Sequence, residues 1–183
     1  KIDHWQDVEL AIYYHQGHET NIDTMMDAMK ASLEYYSTNW GSYPQKQLSI
    51  VEYPGYQSNA MSLPGVIPFS ETHGFSSDVS NPEKLNRVYF TTAHEVAHQW
   101  WANQVIGANV QGAMMLTESV AQYAALQVME KQFGEQTVRK FKRYELDGYL
   151  SARGTEQLQE QSLERVEQEY VAYHKGALIF GAI

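Results

Sequence analysis

Residues 94–98 read His94-Glu95-Val96-Ala97-His98. Two histidines four apart constrain the fold strongly. In a helix such side chains lie nearly above one another, so both imidazoles can reach one ion. A catalytic zinc site also needs a third protein ligand. The chain must therefore fold a second element back beside this helix. There are no cysteines, so that ligand is a His, an Asp or a Glu.

The order of residues narrows the choice. A third histidine six positions after His98 is excluded, because residue 104 is Gln. No Asp, Glu or His occurs between His98 and Glu118. Glu118, in LTESVAQYA, is thus the first acceptable ligand, and a helix-turn-helix with a short connection returns it to the histidine pair. Glu130 follows it on the same helix, roughly 18 Å further along. The sequence therefore predicts one Zn²⁺ per chain, held by His94, His98 and Glu118. Glu95 lies about 100° round the helix from His94. It is too far round to join the ligand pair, yet it can face a water on the metal. Zinc lowers the pKa of such a water towards about 7, and a neighbouring carboxylate can take its proton. Glu95 is the candidate general base. The competing reading is a pair of satisfied core histidines. The five-residue pattern arises by composition alone in roughly one chain of this size in a few hundred, which makes that reading the weaker one.

The 183 residues suit one compact domain, and 43% hydrophobic with 19% charged residues is ordinary for a chain with a real core. A net charge of −9 and a pI near 5.2 argue against nucleic acid as a partner, since such domains carry a basic face. No basic run suits an anionic membrane, and no apolar run approaches the length of a span. The chain starts at Lys1 and stops in the uncapped apolar stretch KGALIFGAI. We expect a catalytic core cut from a longer protein.

Apolar spacing predicts a helix over 21–39, through Ile22, Met25, Met26, Met29, Leu33 and Tyr36. QLSIVEY (47–53) reads as a strand, and GVIPFSE (65–71) as a shorter one at a sheet edge because of Pro68. Residues 72–82 read as a loop. Helices are expected over about 83–105, 114–133, 135–150 and 168–182, with SARGTEQ as a loop. Strands first and helices after them predict an α+β fold, mostly helical with a small N-terminal sheet. It is read as one domain, 1–183, with a small α/β part over 1–81 and a helical zinc-binding part over 82–183.

At this point the chain resembles a known family. HEVAHQWWANQV…LTES is similar to the gluzincin metallopeptidases of the aminopeptidase N family, whose catalytic domain is thermolysin-like. The gap between the second His and the Glu is nineteen residues here, Gln99 to Thr117, one more than in the family's pattern. The extra residue is expected in GANVQGA. YVAYHKGALIF matches the family's tyrosine before Lys-Gly-Ala, and the resemblance implies that Tyr173 donates a hydrogen bond to the developing oxyanion. The family's Gly-x-Met-Glu-Asn strand aligns with PGYQSNAMSLPG. Pro54, Ala60, Met61 and Gly65 are in register. Ser62 stands where the amine-binding Glu stands in the family, and Leu63 where the Asn stands. A serine supplies no negative charge for an ammonium. The resemblance still implies substrate binding along Asn59, Ala60, Met61 and Ser62, by pairing with an extended peptide.

The resemblance covers roughly residues 22–183. It implies zinc-dependent hydrolysis of a peptide or peptide-like substrate, with N-terminal specificity in doubt. HQWWANQVIGANVQGAMMLTES also resembles a bacterial subgroup in which the domain is joined to a transporter-permease-like membrane protein. A metal-retaining, non-catalytic peptide-binding or regulatory module of a membrane assembly is the rival reading. Trp100 and Trp101 are read as packing for the metal helix. His4, His15, His18 and His73 show no ligand spacing among themselves. EQLQEQSLERVEQE (156–169) reads as a solvated segment, and His174 and Lys175 as surface residues.

Overall fold

The structure, a computed structural model, describes residues 1–81 and 83–182. Pro82, where the sequence places the onset of the helical part, lies outside the described residues.

The chain opens with a hairpin that the sequence reading did not anticipate. β1 (Ile2–Trp5) and β2 (Val8–Tyr13) pair antiparallel around Gln6 and Asp7, with Gln6 at φ 51°. Val8, Leu10 and Ile12 carry the strand alternation, but no Gly marks the two-residue turn. α1 (Ile22–Trp40) buries the predicted stripe of Ile22, Met25, Met26, Met29, Leu33 and Tyr36. It is the crossover that brings β3 (Gln47–Tyr53) parallel to β2. β4 (Val66–Ser70) then adds parallel to β3, giving the order β1-β2-β3-β4. Pro68 sits on this last strand, as expected. Residues 59–63 run antiparallel along its outer side: Met61 N–H donates to Pro68 O at 3.0 Å, and Ser70 N–H to Asn59 O at 3.0 Å.

β4 leads into a wide turn, Glu71–Phe75, closed by the Ser76 N–H on Glu71 O. α2 (Arg87–Ala97) starts at Asn86, whose side chain accepts from Tyr89 N–H at 3.0 Å. It is shorter than the expected 83–105. Tight turns take over its last carbonyls: Trp100 and Trp101 N–H both donate to Ala97 O, Gln104 and Val105 N–H to Trp100 O, and Ala102 sits at φ 124°. The next helix opens with a second wide turn, Met115–Ser119, and continues as α3 (Val120–Phe133) to Gly134. α4 (Glu135–Thr155) is longer than expected and takes in the first residues of the predicted loop. The pairs Arg139–Glu135 and Arg143–Asp147, each one turn apart, reinforce it. A third wide turn, Val171–Lys175, runs into α5 (Gly176–Phe180).

The result is the α+β arrangement expected, with the sheet, α1, α2 and α3 sharing one core. Leu10, Ile12, Leu48, Ile50, Ile67 and Phe69 supply its sheet side. Trp100 packs into it against Tyr36, Trp40 and Tyr43, as the sequence suggested. The 156–169 segment is not merely solvated. Val166 is fully buried in a satellite cluster with Val171, Ala172, Met114, Met115 and Tyr173. Gly112, at φ +88°, lets this segment approach, since a Cβ there would lie 2.0 Å from Glu164 O.

Candidate metal centre and cleft

His94 occupies the last turn of α2 and His98 caps it. Their Nε2 atoms lie 3.0 Å apart. His98 turns its other nitrogen, Nδ1, to Trp101 O at 2.9 Å, which fixes the ring and leaves Nε2 facing inward. Glu118 sits in the wide turn before α3. Its Oε2 is 3.5 Å from His94 Nε2 and 3.4 Å from His98 Nε2. Two zinc ligands at about 2.0–2.1 Å in tetrahedral geometry stand roughly 3.3 Å apart. The three separations match that spacing. Glu118 Oε2 is also a buried atom with no hydrogen-bond partner, a costly state for a carboxylate oxygen unless a cation meets it. The donor set therefore fits zinc.

Glu95 is 6% exposed and borders the same cleft. Burial pushes its carboxyl above the usual range, partly offset by His94 and His98. For Glu118, burial acts upward too, but the two imidazoles facing it outweigh it and hold the carboxyl far below the ordinary value. For His98, burial acts downward and the Glu118 carboxylate outweighs it, so the imidazole is raised. Tyr173 lies in the third wide turn, its ring stacked against His94 with centroids 5.8 Å apart. Burial first, then the Glu118 carboxylate, push its phenol well up.

The cleft, about 420 Å³, is bounded by Asn59 and Ala60 on the edge segment, by His94, Glu95 and Tyr173, and by His73. The other two residues of the predicted binding stretch face elsewhere. Met61 is 55% exposed. Ser62 Oγ accepts from Gln99 Nε2 at 2.6 Å, and Gln99 holds Leu63 O and Gly65 N–H as well. Gln99, the residue that follows the metal motif, thus ties the edge segment to the end of α2. Tyr53 OH ties its other end, donating to Asn59 O at 3.0 Å.

Several contacts around the candidate site were not legible in sequence. His73 bonds Thr91 Oγ1 at 3.0 Å, and burial, with Arg87, holds its imidazole below the ordinary value. His174 is only partly exposed: its Nδ1 meets Glu145 Oε2 at 2.6 Å, and fully buried Glu145 also accepts from Gln122 at 2.9 Å. Lys175 is clamped to Glu160. The three wide turns carry His73, Glu118 and Tyr173, and turns of this kind recur at functional sites. Each rests on backbone geometry that side-chain periodicity does not report.

The model of the peptidase family M1 domain matches residues 21–181. The chain belongs to peptidase family M1. As an M1 domain it is a gluzincin of the aminopeptidase N type, in line with the motif resemblance. It is 34% identical over 94 residues to aminopeptidase N of Acetobacter pasteurianus, covering 50% of this chain and 26% of that one. Over 100 residues it is 29% identical to human endoplasmic reticulum aminopeptidase 1, 54% of this chain and 11% of that one. The M1 zinc metallopeptidase of Deinococcus radiodurans shares the fold, with a TM-score of 0.64 at 21% identity over 96% of this chain and 36% of that one. The aligned stretches thus span about a quarter or less of these curated relatives.

Proposed function

We propose that this M1 domain is the catalytic domain of a zinc-dependent peptidase that cleaves peptide bonds with water. The observation that carries the reading is the convergence of His94 Nε2, His98 Nε2 and Glu118 Oε2 at the cleft that His94, Glu95 and Tyr173 line. Bound zinc supplies a Lewis acid that polarises the scissile carbonyl and acidifies water. His94, His98 and Glu118 hold one such ion. Glu95, buried and raised, takes a proton from the attacking water as its oxygen bonds the carbonyl carbon. It then passes that proton to the departing amine nitrogen as the C–N bond breaks. Tyr173 stays protonated and donates to the oxyanion. The edge segment at Asn59 and Ala60 offers backbone groups to an extended peptide.

Ser62 carries no charge and its hydroxyl is committed to Gln99. The substrate's amine is therefore not anchored at this position, and peptides with blocked N-termini are acceptable substrates. The same serine is what favours the second reading, a module that retains metal and binds peptide without cutting it. The retained base and tyrosine favour catalysis. We further propose that residues 1–81 and 82–183 act as one catalytic unit, and that the parent protein tethers it to a membrane. No helix among the described residues is long and apolar enough to cross one.

The test compares hydrolysis of a peptide library by the wild type and Glu95→Gln, with zinc content measured on both. Cleavage by the wild type, and at least a hundredfold less by a zinc-loaded Glu95→Gln, is the expected result. Equal cleavage by both overturns the proposed base. Peptide capture by a zinc-loaded wild type with no cleavage establishes the binding module instead.

A further inference from the structure

Three parallel strands end side by side. β2, β3 and β4 stop at Tyr13, Tyr53 and Ser70, with Tyr13 beside Val51 and Tyr53 beside Ser70. Ligands gather at the carboxyl ends of parallel strands, where loops from neighbouring strands converge. Here each strand brings a metal-ligating residue to that edge. His15 and His18 follow β2, Glu52 is the last core-facing residue of β3 after Leu48 and Ile50, and Glu71 follows β4. One ligand atom from each of these four residues lies within 4.8 Å of all the others.

The local geometry is that of a chelating turn. His18 N–H donates to His15 O at 3.1 Å, and Gly17 between them sits at φ +94°. The reversal points both imidazoles at one carboxylate. His18 Nδ1 is 2.5 Å from Glu52 Oε1, and His15 Nδ1 is 3.3 Å from Glu52 Oε2. Glu52 also accepts from His15 N–H at 2.6 Å. Its side chain is 1% exposed, and among the described residues no Lys or Arg pairs with it. A buried carboxylate faced by imidazoles and a second carboxylate lacks a fixed counter-charge. The spacing of these histidines relative to one another does not reveal the cluster. The partners, Glu52 and Glu71, come from distant strands.

We propose that His15, His18, Glu52 and Glu71 form a second metal site, separate from the His94–His98–Glu118 centre, that takes a borderline divalent cation of the zinc class. Two imidazoles and two carboxylates are the donors that suit such an ion, and four ligands complete a closed tetrahedral set. His15, with its side chain 63% exposed, provides the entry path. The ion fastens the 14–21 loop to Glu71. Glu71 opens the turn that carries His73 into the cleft, so the second site braces one wall of the first.

Zinc per chain, after exchange into buffer with a small excess of free zinc, tests this on four proteins: the full wild-type chain, His15→Ala/His18→Ala, Glu118→Ala/His94→Ala and all four changes together. About two, one, one and no zinc ions are expected. Added zinc should also raise the melting temperature of Glu118→Ala/His94→Ala, and that shift should vanish when His15 and His18 are changed as well. About one zinc in the wild type, undiminished in His15→Ala/His18→Ala, overturns the second site and leaves the first intact. If the double variant does not fold, as read by circular dichroism, His15→Ala alone decides. At least tenfold weaker zinc binding at one of two sites supports the proposal, and unchanged binding overturns it.

Discussion

Gln99 Nε2 donates to Ser62 Oγ at 2.6 Å, joining the residue after the metal motif to the middle of the edge segment. Gln99 is 2% exposed and also receives Gly65 N–H. The clamp fixes how far the segment stands from His94 and His98. Replacing Ser62 with a carboxylate tests what that residue sets. Wild type should cleave free-amino and N-acetylated peptides at similar kcat/KM. Ser62→Glu, whose carboxylate would meet Gln99 and not the cleft, should leave that ratio within a few-fold of wild type. A clear wild-type preference for free amines sinks the reading of Ser62.

Tyr173→Phe isolates the phenol. The ring stacked on His94 remains, so fold and zinc content should be unchanged. Loss of one transition-state donor lowers kcat by about a hundredfold or more, with KM little altered. Steady-state kinetics read the difference, and a variant within a few-fold of wild type places the oxyanion donor elsewhere.

Glu145 supports the same segment from behind through His174, the residue after Tyr173. Glu145→Ala leaves His174 and Gln122 facing a buried gap. The expected cost is about 3 kcal/mol of unfolding free energy by urea titration, as for one partner removed from a buried pair. kcat should fall with it while zinc stays bound. Glu145→Gln, which keeps an acceptor for one of the two donors, should recover part of both.

Glu160 gives a pH dependence. Its hydrogen bond from Lys175, then that from Tyr149, hold its carboxyl below the ordinary 4.5. A lowered folded-state pKa means that the folded chain binds the proton less tightly than the unfolded one. The stabilisation is complete above the ordinary value and is lost as pH falls through the folded pKa. Protection factors across 171–180 in metal-free protein, which divide out the intrinsic pH dependence of exchange, should therefore fall below about pH 4.5. Glu160→Gln should exchange faster at pH 6 and converge with wild type in acid. A constant difference across the range rules out the Lys175–Glu160 clamp as its source.

The candidate metal centre was the most legible cluster because local geometry and elimination carry most of it. His94 and His98 share a helical turn, and the absence of ligands before Glu118 singles out that residue. The stripe of α1 and the limits of β3 follow from periodicity in the same way. The end of α2 at Ala97 was hidden, because turns formed by Trp100 to Val105 replace helical bonds that the side-chain pattern would permit. So was the β1–β2 hairpin, which turns without glycine. What the sequence by itself determined is the helical spacing that pairs His94 with His98 and the order of residues that makes Glu118 the next available ligand. Only the tertiary structure decided that Ser62 belongs to Gln99, that His174 belongs to Glu145, and that His15 and His18 meet Glu52 and Glu71. Those pairings join residues far apart in the chain, and their register is set by parallel strand pairing and core packing, which no local pattern encodes.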